Sequence, residues 1–168
     1  MLKRETRVLG LSKATVRAKL IVVSVVFRGG LWLDGVAISV GAAKERTLNA
    51  RVATIIRTSK QFSQLHAVLV SPRIDFTREL SLQELARRVK LPVIAISKPR
   101  SRRRKENRPV DDLANFDISV AGKYVAITPE GINREGAENL YRISCNPYGM
   151  IPDALRVADI LAEEICRT

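Results

Sequence analysis

The densest chemistry in this sequence is a run of positive charge. Lys98, Arg100, Arg102, Arg103, Arg104, Lys105 and Arg108 fall within residues 98–109, with Glu106 the only acid there and no hydrophobe among them. Guanidinium forks match pairs of phosphate oxygens, and five of these seven cations are arginines. A segment that can bury nothing is expected as a mobile surface loop, and its chemistry is that of a phosphate clamp. The same run would also suit an acidic protein surface. No aromatic ring lies within it to stack a base, so binding to nucleic acid is expected to tolerate any sequence.

The remaining candidates are scattered. Asp34 stands alone in an apolar stretch and is either a weak metal-ligand candidate or an edge acid paired with Arg28. Asp75 follows a short apolar run, and Asp111 with Asp112 suits the positive end of a helix. Ser12, Ser24 and Ser71 have only His66 as a possible base, so a nucleophilic triad is not expected. Cys145 and Cys166 have no CxxC spacing, and a structural zinc site needs about four Cys or His ligands. Both are expected as free thiols of a reducing compartment. No phosphate-loop, GxGxxG or HExxH motif is present.

What positions these groups must be a core of aliphatic residues, because hydrophobics make up 46% of the 168 residues and aromatics only 5%. That length suits one domain, residues 1–168. A net charge of +12 attracts polyanions. The longest apolar run, residues 20–27, contains Ser24 and is too short to span a bilayer. With no apolar stretch behind the charged first residues, a cytoplasmic location without membrane contact is expected.

The hydrophobic pattern predicts strands over 7–11, 19–27 and 31–40, the last two joined by a tight turn at Arg28, Gly29 and Gly30 and therefore antiparallel. A helix follows over 42–58, with Leu48, Val52, Ile55 and Ile56 on one stripe. Residues 65–70 form a central strand, and Ser81 with Glu84 caps the start of the next helix. Residues 92–97 then return as a parallel strand. Beyond the basic loop come a hairpin (116–121 and 124–128), a helix over 136–143, and a last helix opened by Pro152 and Asp153. That helix is lined by Ala154, Leu155, Ala158, Leu161, Ala162 and Ile165. The reading so far is α/β with a mixed five-stranded sheet and an additional C-terminal hairpin and helices.

Four segments carry a resemblance: RVLGL (7–11), VVFRGGLWLDGV (25–36), LPVIAISK (91–98) and IPDALRVADILAEEI (151–165). In this order they resemble the archaeal domain-of-unknown-function family ninety-nine, which is related to endonuclease V. The resemblance implies a ribonuclease H-like fold and Mg²⁺-assisted hydrolysis by carboxylates at the ends of the first and fourth strands. At those two places this sequence has Gly10-Leu11-Ser12-Lys13 and Ser71-Pro72. Ser12 and Ser71 thus stand where acids are expected, and a neutral hydroxyl cannot replace an anionic ligand of a hard dication.

The sequence therefore points to a nucleic-acid-binding protein, for DNA or RNA, with a degenerate metal-nuclease site and no cofactor. Two other readings remain. One is an interaction or assembly module that docks on an acidic protein. The other is a weakly active Mg²⁺-dependent nuclease using Asp34 with Asp75 or Asp111.

Overall fold

The computed structural model describes residues 5–43, 48–102 and 115–168. Strand β1 (Arg7–Val16) turns into β2 (Lys19–Arg28), which turns into β3 (Trp32–Ala42). Helix α1 (Asn49–Arg57) and a short 3-10 turn (Phe62–Gln64) lead into β4 (Leu65–Val70). Helix α2 (Leu82–Val89) precedes β5 (Val93–Ile96). The hairpin β6 (Phe116–Val120) and β7 (Lys123–Glu130) is followed by α3 (Arg134–Ser144) and α4 (Asp153–Arg167).

All seven strands form one sheet in the order β3-β2-β1-β4-β5-β7-β6. The β1–β4 and β4–β5 pairs are parallel, and the other neighbours are antiparallel. The expected five-stranded mixed sheet is present, but the hairpin is no appendage. β7 pairs with β5, Val93 opposite Glu130 through Ile96 opposite Ile127, and so widens the sheet.

Two boundaries differ from the expected ones by more than two residues, each for a local reason. The first strand runs on to Val16 because Ser12 to Val16 stay paired with β2, from Val23 to Lys19. Its turn is Arg17-Ala18, both at positive φ (46° and 60°), a two-residue hairpin turn made without the usual Asn or Gly. The first helix starts at Asn49 rather than at residue 42, because Gly41 and Ala42 are still paired with Leu20 and Lys19. Lys44 and Arg46 lie outside the described residues.

Alternation along the strands divides the core in two. Leu9, Leu11, Val22, Val68 and Val70 face α1 and α2. Val8, Val23, Val25, Leu69 and Ile94 face α3 and α4, where Tyr141, Leu155 and Ala158 complete the packing. Small residues let α4 lie close. A Cβ on Gly10 would stand 2.6 Å from the backbone carbon and oxygen of Ala154. The segment containing Ser12 is thereby brought against α4. Ser81 caps α2 as expected, accepting a hydrogen bond from the Glu84 backbone N–H at 3.2 Å.

Candidate functional site

The C-terminal end of β4 lies beside the middle of β1 at the centre of the sheet, with Leu11 opposite Val70. Ser12 and Ser71 follow these positions, and both are buried. Ser12 points to the α4 side, because it alternates with Val8, Gly10 and Ala14 on that face of β1. There it meets a residue that the sequence reading missed. Asp159, on α4, accepts a hydrogen bond from Ser12 Oγ at 2.6 Å and another from Ser71 Oγ at 2.5 Å, both on its Oδ1. The sequence carries a trace of this role. Asp159 sits between Ala158 and Ala162, on the border of the apolar stripe that buries α4.

Two cationic residues, Lys13 and Arg73, lie close to the serines in sequence. Lys13 Nζ is paired with Glu79, whose second carboxylate oxygen accepts from the Asp75 backbone N–H at 2.9 Å. Arg73 Nε donates to the Lys13 carbonyl at 3.1 Å, and the Arg73 backbone N–H donates to Ser71 Oγ at 3.1 Å. Beside Ser71 a cavity of about 470 Å³ opens beyond the ends of β4 and β5. Its lining includes Asp75, Thr77, Ser97, Lys98 and Arg100. Hydrogen bonds from the Thr77 side chain, with help from Arg78, hold the Asp75 carboxyl below its ordinary pKa despite some desolvation.

A hard dication at this place would meet one carboxylate and two neutral hydroxyls. The hydroxyls already donate to that carboxylate, so their protons face the oxygen a metal would need. Among the described residues no three His, Cys, Asp or Glu side chains are grouped to hold a metal. The donor set does not fit Mg²⁺.

The other sequence candidates fall elsewhere. Asp34 is at the opposite end of the sheet. It accepts from Arg7 Nε at 2.5 Å and Arg28 Nη2 at 3.2 Å, so its partner includes the Arg28 expected for an edge acid. These bonds, the one from Arg7 foremost, hold its carboxyl below the ordinary value. Arg7 begins β1, and five residues of strand separate it from Ser12, about 17 Å. The structure does not bring Asp34 together with Asp75. His66 is near the start of β4, roughly as far from Ser71. Trp32, at the start of β3, is 65% exposed.

Of the basic run, Lys98, Arg100 and Arg102 are described. Lys98 and Arg102 are exposed. Arg100 is pinned by two backbone hydrogen bonds to Tyr124, at 2.7 and 2.8 Å, and its Nη2 donates to Asp117 at 2.7 Å. Its charge is thus matched by a carboxylate at the foot of the loop. Arg103, Arg104, Lys105 and Arg108 lie outside the described residues, as do Asp111 and Asp112.

Residues 4–166 match the endonuclease dU family. The chain belongs to that family. Among curated relatives of this endonuclease dU family member, the UPF0215 protein of Methanosarcina acetivorans is 28% identical over 182 residues, 98% of this chain and 92% of that protein. A crystal structure of a protein of unknown function from Archaeoglobus fulgidus superposes with TM-score 0.74 at 19% identity, covering 96% of this chain and 99% of that one. Endonuclease V from Bacillus subtilis superposes with TM-score 0.61 at 14% identity, covering 95% and 79%. The fold is therefore the ribonuclease H-like fold of endonuclease V, as the four sequence segments implied. No helix among the described residues is long and apolar enough to cross a membrane.

Proposed function

We propose that this member of the endonuclease dU family binds the phosphate backbone of nucleic acid at the C-terminal ends of β4 and β5, beside the middle of β1, and does not cleave it by a metal-ion mechanism. The reading rests above all on one observation: both hydroxyls at the carboxylate positions of the fold, Ser12 and Ser71, are bonded to Asp159 Oδ1. That arrangement satisfies the buried polar groups internally, and among the described residues no cluster of acidic side chains is grouped to hold a dication. Lys13, next to Ser12 in sequence, is paired with Glu79, Arg73 Nε donates to the Lys13 carbonyl, and Lys98 lines the adjoining cavity.

Ligands of open α/β sheets bind beyond the carboxyl ends of the strands, and the basic run leaves β5 at that edge. Phosphate contacts without base contacts give affinity that tolerates sequence and weakens with salt. The reading is tested by titrating the wild-type chain and a Ser12→Asp/Ser71→Asp variant with Mn²⁺ and Mg²⁺ in a calorimeter. The expected result is no measurable heat for the wild type and saturable binding for the variant, whose three carboxylates would face one another. Stoichiometric, Mn²⁺- or Mg²⁺-dependent cleavage of labelled DNA or RNA by the wild type, lost in Asp159→Asn, would overturn it.

A further inference from the structure

β3 is the terminal strand of the sheet, and its outer edge carries an unusual sequence for that place. Edge strands are ordinarily blunted by charge, proline or brevity. β3 has 11 residues, and from Gly35 to Ala43 it reads GVAISVGAA, with no charge and no proline in a chain of net charge +12. Val36, Ile38 and Val40 lie opposite Val25, Val23 and Ile21 on the face that α4 covers. α4 packs over β1 and β2 and stops short of β3. These three side chains are consequently 46%, 51% and 58% exposed, and Ile160 on α4 adds a fourth at 48%. The other face of the strand is different. Arg51 from α1 donates to the Ser39 carbonyl at 2.8 Å, and Gln61 donates to the Asp34 carbonyl at 3.1 Å.

We infer that β3 pairs antiparallel with β3 of a second copy of this chain, about a two-fold axis at Ile38. The sequence is self-complementary about that point. Ile38 faces its own copy, Val36 faces Val40 of the second copy and the reverse, and on the α1 side Ala37 faces Ser39 and Gly35 faces Gly41. Every pair matches β-branched with β-branched, or small with small. An isologous contact requires such a match, whereas a foreign strand has no reason to share it. The seam is also the one strip of the strand where two chains of +12 can meet without placing like charges opposite one another.

The seven paired residues, 35–41, span about 24 Å, and a sheet is about 10 Å thick, so each copy presents on the order of 240 Å² of contact. That is below the roughly 800 Å² per partner of a standard stable interface. The dimer is therefore weak and reversible, with a dissociation constant on the order of micromolar or higher. Its salt dependence is opposite to that of phosphate binding, because screening removes repulsion between two cationic chains.

The test is sedimentation equilibrium of the full chain from 1 to 200 µM (about the range a micromolar constant requires) at low and high salt. The expected result is a concentration-dependent rise from 18.7 kDa to twice that mass, with tighter association at high salt. Ile38→Lys, at a half-exposed position that leaves the fold intact by circular dichroism, places two ammonium groups side by side and weakens association at least tenfold. Ile38→Cys in a Cys166→Ser background forms a covalent dimer on mild oxidation. Ser119→Cys, exposed on the opposite edge strand β6, does not. A monomer throughout the range, a dimer indifferent to Ile38→Lys, or equal crosslinking through Ser119→Cys would each overturn the inference. None of these results depends on whether the chain binds nucleic acid.

Discussion

Replacing Asp159 with alanine is expected to cost far more than replacing an ordinary half-buried helix residue. Ser12 is fully buried and Ser71 is 1% exposed, and both donate to the same carboxylate oxygen. Hydrogen bonds to a charged group contribute about 1.5–3 kcal/mol each, and a buried donor left without an acceptor costs about 1–3 kcal/mol. The two effects overlap, since the lost bond and the stranded donor are one event. Ser71 Oγ also keeps the hydrogen bond it accepts from the Arg73 backbone N–H. A total of about 3–4 kcal/mol follows from two such events. For a chain of this length that is a fall of roughly 6–16 °C in melting temperature. Asp159→Asn retains an acceptor oxygen and should lose only about 1 kcal/mol, the difference between a charged and a neutral acceptor. The Ser12→Ala/Ser71→Ala pair leaves the carboxylate free to take water at the half-buried edge of α4 and should fall between the two. Urea denaturation of the four proteins at pH 7 measures the order. If Asp159→Ala unfolds within about 0.5 kcal/mol of the wild type, the range of an ordinary surface substitution, the trio is not a packed hydrogen-bonded unit and the reasoning fails.

Three further expectations follow from other parts of the molecule. Asp34→Asn should destabilise the protein by about 1–2 kcal/mol at pH 7, through loss of its bonds from Arg7 and Arg28. Because the folded carboxyl titrates below its unfolded value, its contribution is complete above the unfolded pKa and fades as pH falls through the folded one. The gap between variant and wild type in a pH series of thermal melts should therefore close in acid and stay constant from pH 6 to 8. Cys145 should not react with a thiol reagent at pH 8 in the folded chain, because burial raises its pKa to about 12, whereas exposed Cys166 should react at once. One thiol titrated before denaturation and two after is the expected count, since both cysteines are free. Gly10→Ala should destabilise by at least about 1–3 kcal/mol, as expected for overpacking, because its Cβ would meet α4 backbone at 2.6 Å. A melting temperature unchanged in that variant would mean that α4 does not lie this close to β1.

Much of the fold was legible because strands buried on both faces read as continuous aliphatic runs. Residues 65–70 and the Ser81 cap are found where the pattern placed them. The end of β1 was not legible. Ser12 and Lys13 interrupt the apolar run, and Arg17-Ala18 turns the hairpin without the glycine or asparagine that usually marks such a turn. The start of α1 was lost for a related reason: the small residues Gly41 and Ala42 suit a helix as readily as a strand edge, and pairing with β2 decides between them. At the site, family resemblance picked out Ser12 and Ser71, but periodicity alone assigned α4 wholly to packing. Asp159 is separated from Ser71 by 88 residues, and only the tertiary fold shows that one carboxylate serves both hydroxyls. The basic run was conspicuous as composition, yet composition could not reveal that Arg100 is bonded to Asp117 and tied to β7.

The measurement that bears most directly on the proposed function is fluorescence anisotropy of labelled single- and double-stranded DNA and RNA, titrated with the protein at 50 and 200 mM salt without divalent metal. Arg100 is paired with Asp117, and if the other six cations of the run contact phosphates, affinity should fall on the order of 10³-fold between the two salts. Replacing Arg102, Arg103 and Arg104 with alanine should remove about half of that salt dependence while leaving the melting temperature unchanged. Binding that is absent at 50 mM salt, or that is unaffected by either salt or the triple substitution, would contradict the account.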